Sequence, residues 1–156
     1  MQIQSRPFQG CSGHQAGRLL LEQMYRCYTG KPMPTILIAP MGKPYFAEGD
    51  LHFSISHTKD RVFCALHDAP IGIDAEDPDR PIRLELAKKI LSPEEFSRWE
   101  NAPDRQQALL RFWVLKEARA KFLGTGIQPW PNDTNLSLDD PRVCIRDGCL
   151  VAVITE

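Results

Sequence analysis

Two carboxylates placed two residues apart on a strand are the first feature of this sequence that could do chemistry. In Ile71-Gly72-Ile73-Asp74-Ala75-Glu76 side chains alternate faces, so Ile71, Ile73 and Ala75 turn to a core and Gly72, Asp74 and Glu76 turn away from it. Like charges that close repel unless something positive lies between them. A hard divalent cation meets that need, because Mg²⁺ typically takes one or two carboxylates together with phosphate oxygens and water. Gly72 leaves space beside the pair. The plainer alternative is an acidic strand end facing solvent. A second set lies in Phe112-Trp113-Val114-Leu115-Lys116-Glu117-Ala118-Arg119-Ala120-Lys121, where Trp113, Glu117 and Lys121 recur every four residues and share one helix face. Here the alternative is a surface ion pair between Glu117 and Lys121, with Trp113 in the core. A third set is Phe53-Ser54-Ile55-Ser56-His57-Thr58. Adjacent strand residues point to opposite faces, so Ser56 does not reach the ring of His57, and no G-x-S-x-G elbow occurs. His57 reads either as a hydrogen-bonded histidine buried at a strand end or as a phosphate contact, with the hydroxyls of Ser56 or Thr58 nearby.

These residues need elements to hold them. Residues 1–11 carry no periodic pattern. A helix is expected from Ser12, with Leu19, Leu20, Met24, Cys27 and Tyr28 on one face and Gly30 and Pro32 as its stop. Thr35–Ala39 reads as a strand, Met41-Gly42-Lys43-Pro44 as a turn, and Leu51, Phe53 and Ile55 alternate with polar residues in another strand. Val62–His67 and Pro70–Glu76 follow as strands, with Asp68 and Ala69 as the hairpin turn between them. Ile82–Leu91 is expected to be helical. Ser92-Pro93-Glu94-Glu95 combines a capping box with proline at the first helical position. A long helix should run from about Asp104 to Leu123, closed by Gly124 and Gly126. Strands are expected at Thr134–Leu138, Arg142–Arg146 and Cys149–Thr155, with Asp147-Gly148 as a hairpin turn. Gln128–Asp133 is the candidate linker, and no internal repeat is evident. Helix, strands, helices, then strands gives an α+β class with a largely antiparallel sheet.

Composition narrows the function classes. At 156 residues one domain is the default. Hydrophobic residues at 42% and charged residues at 25% are ordinary for a globular chain. With 19 Lys plus Arg against 20 Asp plus Glu, the net charge of -1 gives no basic excess of the kind a nucleic-acid binder shows. The apolar runs are too short to span a bilayer, and no export signal is visible. Cys11, Cys27, Cys64, Cys144 and Cys149 form no C-x-x-C pair, so the expectation is a reduced, cytoplasmic protein with mostly buried thiols.

Taken in order, the Gly-Lys-Pro turn at 42–44, Phe53–His57, Ile71–Glu76 and Trp113–Lys121 resemble the 4′-phosphopantetheinyl transferase superfamily. The W-x-x-K-E-A form is similar to its broad-specificity, surfactin-synthetase-activating branch. Ala87–Phe96 also resembles the helical segment that follows the acidic motif in that family. The resemblance runs from about Gly17 to the C-terminus. It implies an α+β fold of two similar halves, about 1–70 and 71–156, related by a pseudo-twofold axis with coenzyme A in the cleft. It implies transfer of the phosphopantetheine arm of coenzyme A to a serine of an apo acyl or peptidyl carrier protein, releasing 3′,5′-ADP. Carried over by position, Asp74, Glu76 and Glu117 would hold Mg²⁺, and Glu117 would orient or deprotonate the serine. Lys121 would stabilise the leaving phosphate. Lys43, Pro44, Ser56 and His57 would grip the nucleotide, with Lys116 a further phosphate contact. Few basic residues precede the Gly-Lys-Pro turn, and Arg18 is the best placed of them. Val114 replaces the small polar residue usual after the aromatic. A monomer is expected, and the short chain leaves a dimer open. Arg80, Arg83, Lys88 and Lys89 are candidate docking charges for an acidic carrier. The alternatives are a non-catalytic relative that binds coenzyme A or a carrier, and a metal-dependent phosphohydrolase on another fold.

Overall fold

One topology, strand–helix–strand–strand, occurs twice in the computed structural model, which describes residues 1–126 and 136–156. The first unit comprises β1 (Gln2–Pro7), α1 (Gly13–Thr29), a small ribbon of β2 (Ile36–Ile38) and β3 (Pro44–Phe46), then β4 (His52–His57) and β5 (Arg61–His67). The second comprises β6 (Ile71–Glu76), a 3₁₀ turn (Leu84–Leu86), α2 (Ala87–Ile90), α3 (Pro93–Glu100), α4 (Arg105–Leu123), β7 (Val143–Arg146) and β8 (Cys149–Thr155). The sheets run β1-β5-β4 and β6-β8-β7 and are antiparallel throughout. In both, the first strand pairs with the last, and the last with the one before it.

Strand alternation sorts the side chains into four layers. Val62, Cys64 and Leu66 of β5 and Phe53 of β4 face α1, where Leu20, Leu21 and Met24 cover them. Phe63 and Ala65 turn the other way, onto Ile71, Ile73, Ala75, Cys149 and Val151 of the second sheet. Leu150, Ala152 and Ile154 face α4. The order is helix, sheet, sheet, helix, each sheet burying both of its faces.

Two serines join the sheets where backbone pairing stops. Ile73 N–H donates to Ser54 Oγ at 3.0 Å, and Ala75 N–H to Ser56 Oγ at 3.1 Å. Edge N–H groups of β6 that would otherwise be buried without partners are thus satisfied by β4 side chains.

Several expectations are corrected. Residues 2–7 form β1, an edge strand whose side chains are half-buried or exposed and so carry no apolar alternation. The buried face of α1 is Gly13, Ala16, Gly17, Leu20, Leu21, Met24 and Tyr25, whereas Leu19 is 62% and Tyr28 53% exposed and Cys27 is on the surface. A Cβ at Gly17 would lie 2.6 Å from the Ile55 side chain, so the helix approaches β4 through its glycines. Asp68 and Ala69 do not close a hairpin. They carry the chain from one sheet to the other, and β6 pairs with β8. The expected helix at 82–91 is a 3₁₀ turn and one α-turn, with no side-chain cap at either start. Residues 136–138 form no strand, because the Leu136 N–H donates to Glu95 Oε1 and its carbonyl accepts from Arg98. Residues 127–135, which include the linker expectation, lie outside the described residues. Among the thiols, Cys64 and Cys149 are buried and Cys11, Cys27 and Cys144 exposed, so most are not buried; burial pushes the Cys64 thiol up to about 12. The capped start of α3, the span of α4 and the Asp147-Gly148 turn (φ 49° and 78°) are as expected, and Asp104 adds a side-chain cap to α4.

Two contacts fix α4. At Gly72 a Cβ would fall on the Ala118 carbonyl oxygen and 2.5 Å from Phe122 N. Lys116, fully buried, sets its ammonium 2.8 Å from Glu95 Oε2, and Glu95 also caps the Ser92 N–H at 2.9 Å. Gly72→Ala should therefore destabilise the protein by about 3 kcal/mol or more, since backbone must move; a urea midpoint close to wild type would contradict this packing. Lys116→Met should cost about 3 kcal/mol by stranding a buried carboxylate. Adding Glu95→Gln, which removes the stranded charge and keeps an acceptor for one of the two N–H groups that Glu95 receives, should recover part of that loss. Simple additivity in the same urea titrations would rule out the pairing.

Candidate functional site

A cleft of about 590 Å³ opens where the first unit meets α4. Its wall from the first unit carries Arg18, Lys43, Pro44, Ser56 and His57, and its opposite wall Asp74, Glu117 and Lys121. Eight of the residues singled out from sequence thus line one cavity. Glu76 and Lys116 do not. Lys116 is sealed against Glu95 between α4 and α3, so the expectation of a phosphate contact from it is corrected.

Asp74 is the hub. It is 5% exposed, and its Oδ1 accepts from Ser56 Oγ at 2.9 Å and from Lys121 Nζ at 2.8 Å. Lys121 Nζ also reaches the Ile55 carbonyl at 3.4 Å. One carboxylate oxygen thereby ties β4, β6 and α4 together. The other, Asp74 Oδ2, is buried without a hydrogen-bond partner among the described residues, as is Glu117 Oε1. Burial, with the Asp74 charge second, raises the Glu117 carboxyl to about 7. Two orphaned acceptors of like charge are costly in a dry site and are what a cation would relieve.

Glu76 sits on the same face of β6 but is turned to other partners. Its Oε1 accepts from the Trp113 indole N–H at 3.2 Å and pairs with Arg80. Burial first, and then Asp74, raise its carboxyl, while Arg80 and Trp113 oppose the rise. Among the described residues no group of three or more His, Cys, Asp and Glu side chains is gathered as a formed metal centre. Asp74 and Glu117 offer the open oxygens, and Glu76 is engaged elsewhere.

The basic residues are held by the opposite unit. Lys43 Nζ donates to the Phe122 carbonyl at 2.6 Å, at the C-terminal end of α4, and burial lowers its ammonium from the usual value. Its stem lies over Gly124, where a Cβ would come within 3.0 Å. His57 is exposed to the cleft, not buried, and its Nδ1 lies 3.1 Å from the Thr58 carbonyl. The ring rests against Gly13, where a Cβ would stand 2.5 Å from it. Ser56 lines the cleft with its hydroxyl committed to Asp74 and Ala75 N–H.

Sequence reading missed His14, Ile38 and Met41, which also line the cleft. His14 stands four residues before Arg18 on α1, a helical spacing that was available as a signal. Ile38 and Met41 flank a turn, and nothing in their spacing marked them. The whole arrangement can place a polyanion between Arg18, Lys43 and Lys121, with carboxylates at its floor for a cation or a proton.

The comparisons agree with this geometry. Residues 70–147, which hold β6, α4 and the acidic set, match the family model of the 4′-phosphopantetheinyl transferase superfamily. A 4′-phosphopantetheinyl transferase of Bacillus subtilis is 36% identical over 115 residues, covering 72% of this chain and 48% of the relative. The transferase HetI of a Nostoc species is 34% identical over 122 residues, covering 72% and 52%. The transferase AcpT of Escherichia coli is 36% identical over 118 residues, covering 70% and 56%. The chain therefore spans about half the length of the curated relatives it matches. With the acidic strand and the W-x-x-K-E-A helix meeting in one cleft and the family model covering both, the chain belongs to the 4′-phosphopantetheinyl transferase superfamily.

Proposed function

We propose that this protein transfers the 4′-phosphopantetheine arm of coenzyme A to a serine hydroxyl of an apo acyl or peptidyl carrier protein, in the cytoplasm and as a monomer. The observation that carries the reading is the pair of orphaned carboxylate oxygens of Asp74 and Glu117, buried at the floor of a cleft flanked by Arg18, Lys43 and Lys121. The donor set fits a hard cation, and Asp74, Glu117 and Glu76 would hold Mg²⁺. Bound there, the ion would neutralise the diphosphate of coenzyme A as charge shifts to the leaving group. Arg18, Lys43 and His57 bind the nucleotide end, and Pro44 shapes the turn beside it. Glu117 orients the serine hydroxyl and takes its proton, directly or through water. The serine oxygen bonds to the phosphorus on the pantetheine side, the bond from that phosphorus to the bridging oxygen breaks, and 3′,5′-ADP departs with the electron pair. Lys121 stands beside Asp74 to receive that charge. Catalysis rests on positioning and charge stabilisation. Among the described residues no helix is long and apolar enough to cross a membrane.

Mixing purified protein, coenzyme A, Mg²⁺ and a panel of apo carriers should give a carrier heavier by one phosphopantetheine, read by mass spectrometry. Binding of coenzyme A with no transfer to any carrier would favour a non-catalytic relative. Glu117→Gln should lower the transfer rate by about 100-fold or more. It should not unfold the protein. A carboxyl raised from 4.5 to about 7 makes the metal-free fold most stable below pH 4.5, less so as pH rises to 7, and flat above. In chelator at pH 8 the Gln variant should thus be more stable than wild type by about 1–2 kcal/mol, with the difference gone at pH 4.5. A lower Tm for the variant at pH 8 would show that the carboxylate is not strained.

Carrier docking is proposed at the 3₁₀ turn and α2, where Arg83, Glu85, Leu86 and Lys89 line a hollow and Leu84 is 40% exposed. Lys88→Glu with Lys89→Glu should raise the carrier KM, most at low ionic strength, and leave the coenzyme A KM alone. A carrier KM indifferent to both charge and salt would remove these residues from the interface.

A further inference from the structure

The Asp74–Glu76 repulsion is already answered within this chain, and Arg80 supplies half of the answer. Glu76 keeps 16% of its side chain exposed and gives the same carboxylate oxygen to the Arg80 guanidinium and to the Trp113 indole N–H. Arg80 is built into place. Its N–H closes a turn onto the Asp77 carbonyl at 3.0 Å, and its Cζ stands 5.7 Å from the centre of the Trp113 ring. The guanidinium side chain is 42% exposed, so its removal opens no core cavity. Lys121 does the same for Asp74 from inside the cleft. The two cations hold two of the three acids, and only Glu117 has no cation bonded to it among the described ion pairs.

We propose that Arg80 is a resident counter-ion that competes with the divalent cation for Glu76, so that metal affinity is set against an internal ion pair. This rests on the magnesium reading above. It assigns a positioning residue outside the cleft, acting through Glu76 and held by the tryptophan of the W-x-x-K-E-A helix. A partly exposed pair of this kind shifts an equilibrium by a few-fold, not by orders of magnitude. Arg80 thus tunes the site and does not close it.

Calorimetric titration of the full chain with MgCl₂ and MnCl₂ tests this, alongside the ¹⁵N-labelled indole N–H resonance of Trp113, assigned by its loss in Trp113→Phe. Arg80→Ala should tighten cation binding by about 3- to 10-fold, and Arg80→Lys by less. The Trp113 resonance should move as the cation draws Glu76 away, at lower cation concentration in Arg80→Ala than in wild type. In a Glu76→Gln background Arg80→Ala should have little effect, and Arg83→Ala should have none in any background. Equal affinity with and without Arg80, or an unmoved indole resonance in a protein that binds the cation, overturns the Arg80 assignment alone. No heat and no resonance shift in any variant overturns the magnesium reading, and the Arg80 assignment falls with it.

Discussion

Everything in the site depends on one carboxylate oxygen, Asp74 Oδ1, which accepts at once from a serine of the first unit and a lysine of α4. Ser56 is committed twice over, since its oxygen also accepts the Ala75 N–H. The junction of the two sheets and the floor of the cleft are therefore the same set of bonds. A residue placed there for structure alone would have both carboxylate oxygens satisfied. Asp74 leaves the second one buried and bare, opposite another bare oxygen on Glu117. Stability has been forgone at a point where a ligand of positive charge could restore it.

The approach of α4 makes this possible. Gly72 lets helix backbone lie directly on β6, which brings Glu117 and Lys121 to the level of Asp74, and Trp113 to the level of Glu76. The buried Lys116–Glu95 pair fastens the opposite side of the helix to α3. Lys116 and Glu117 are neighbours in sequence with opposite destinies. One lies in an ion pair with Glu95 and is inaccessible, and the other lines the cleft with no ion pair among the described residues.

Much of this was legible in the residues. Strand alternation put Asp74 and Glu76 on one face, the four-residue spacing put Trp113, Glu117 and Lys121 on another, and the motif order pointed to the cleft that Asp74, Glu117 and Lys121 line with Lys43, His57 and Arg18, while Glu76 and Trp113 stand outside it. The repeated topology was expected from the family resemblance but was not legible in the residue pattern, because β1 is an edge strand without apolar alternation and because β2, β3, α2 and α3 interrupt the two units differently. The α1 face was misread where glycine replaces side-chain volume, since Gly13 and Gly17 score as nothing in a hydrophobic pattern yet decide how near the helix comes. Asp68 and Ala69 resembled a hairpin because adjacent strands usually pair; here the partner of β6 lies at the far end of the sequence, in β8. Lys116 looked like a ligand contact because a lysine beside a catalytic-type glutamate carries no mark of burial.

The two units share a topology and divide the work. In the first, α1 and β4 turn His14, Arg18 and His57 into the cleft, and the Lys43 stem crosses to cap the end of α4. In the second, β6 and α4 contribute the acids and Lys121. A cleft lined by the first unit alone would carry no carboxylate among its described residues. Lys43 reaching to Phe122, and Lys121 reaching to Ile55, cross the seam in opposite directions. Each unit thus positions the other's charged side chain. Separating them would dismantle the basic wall and the acidic floor together.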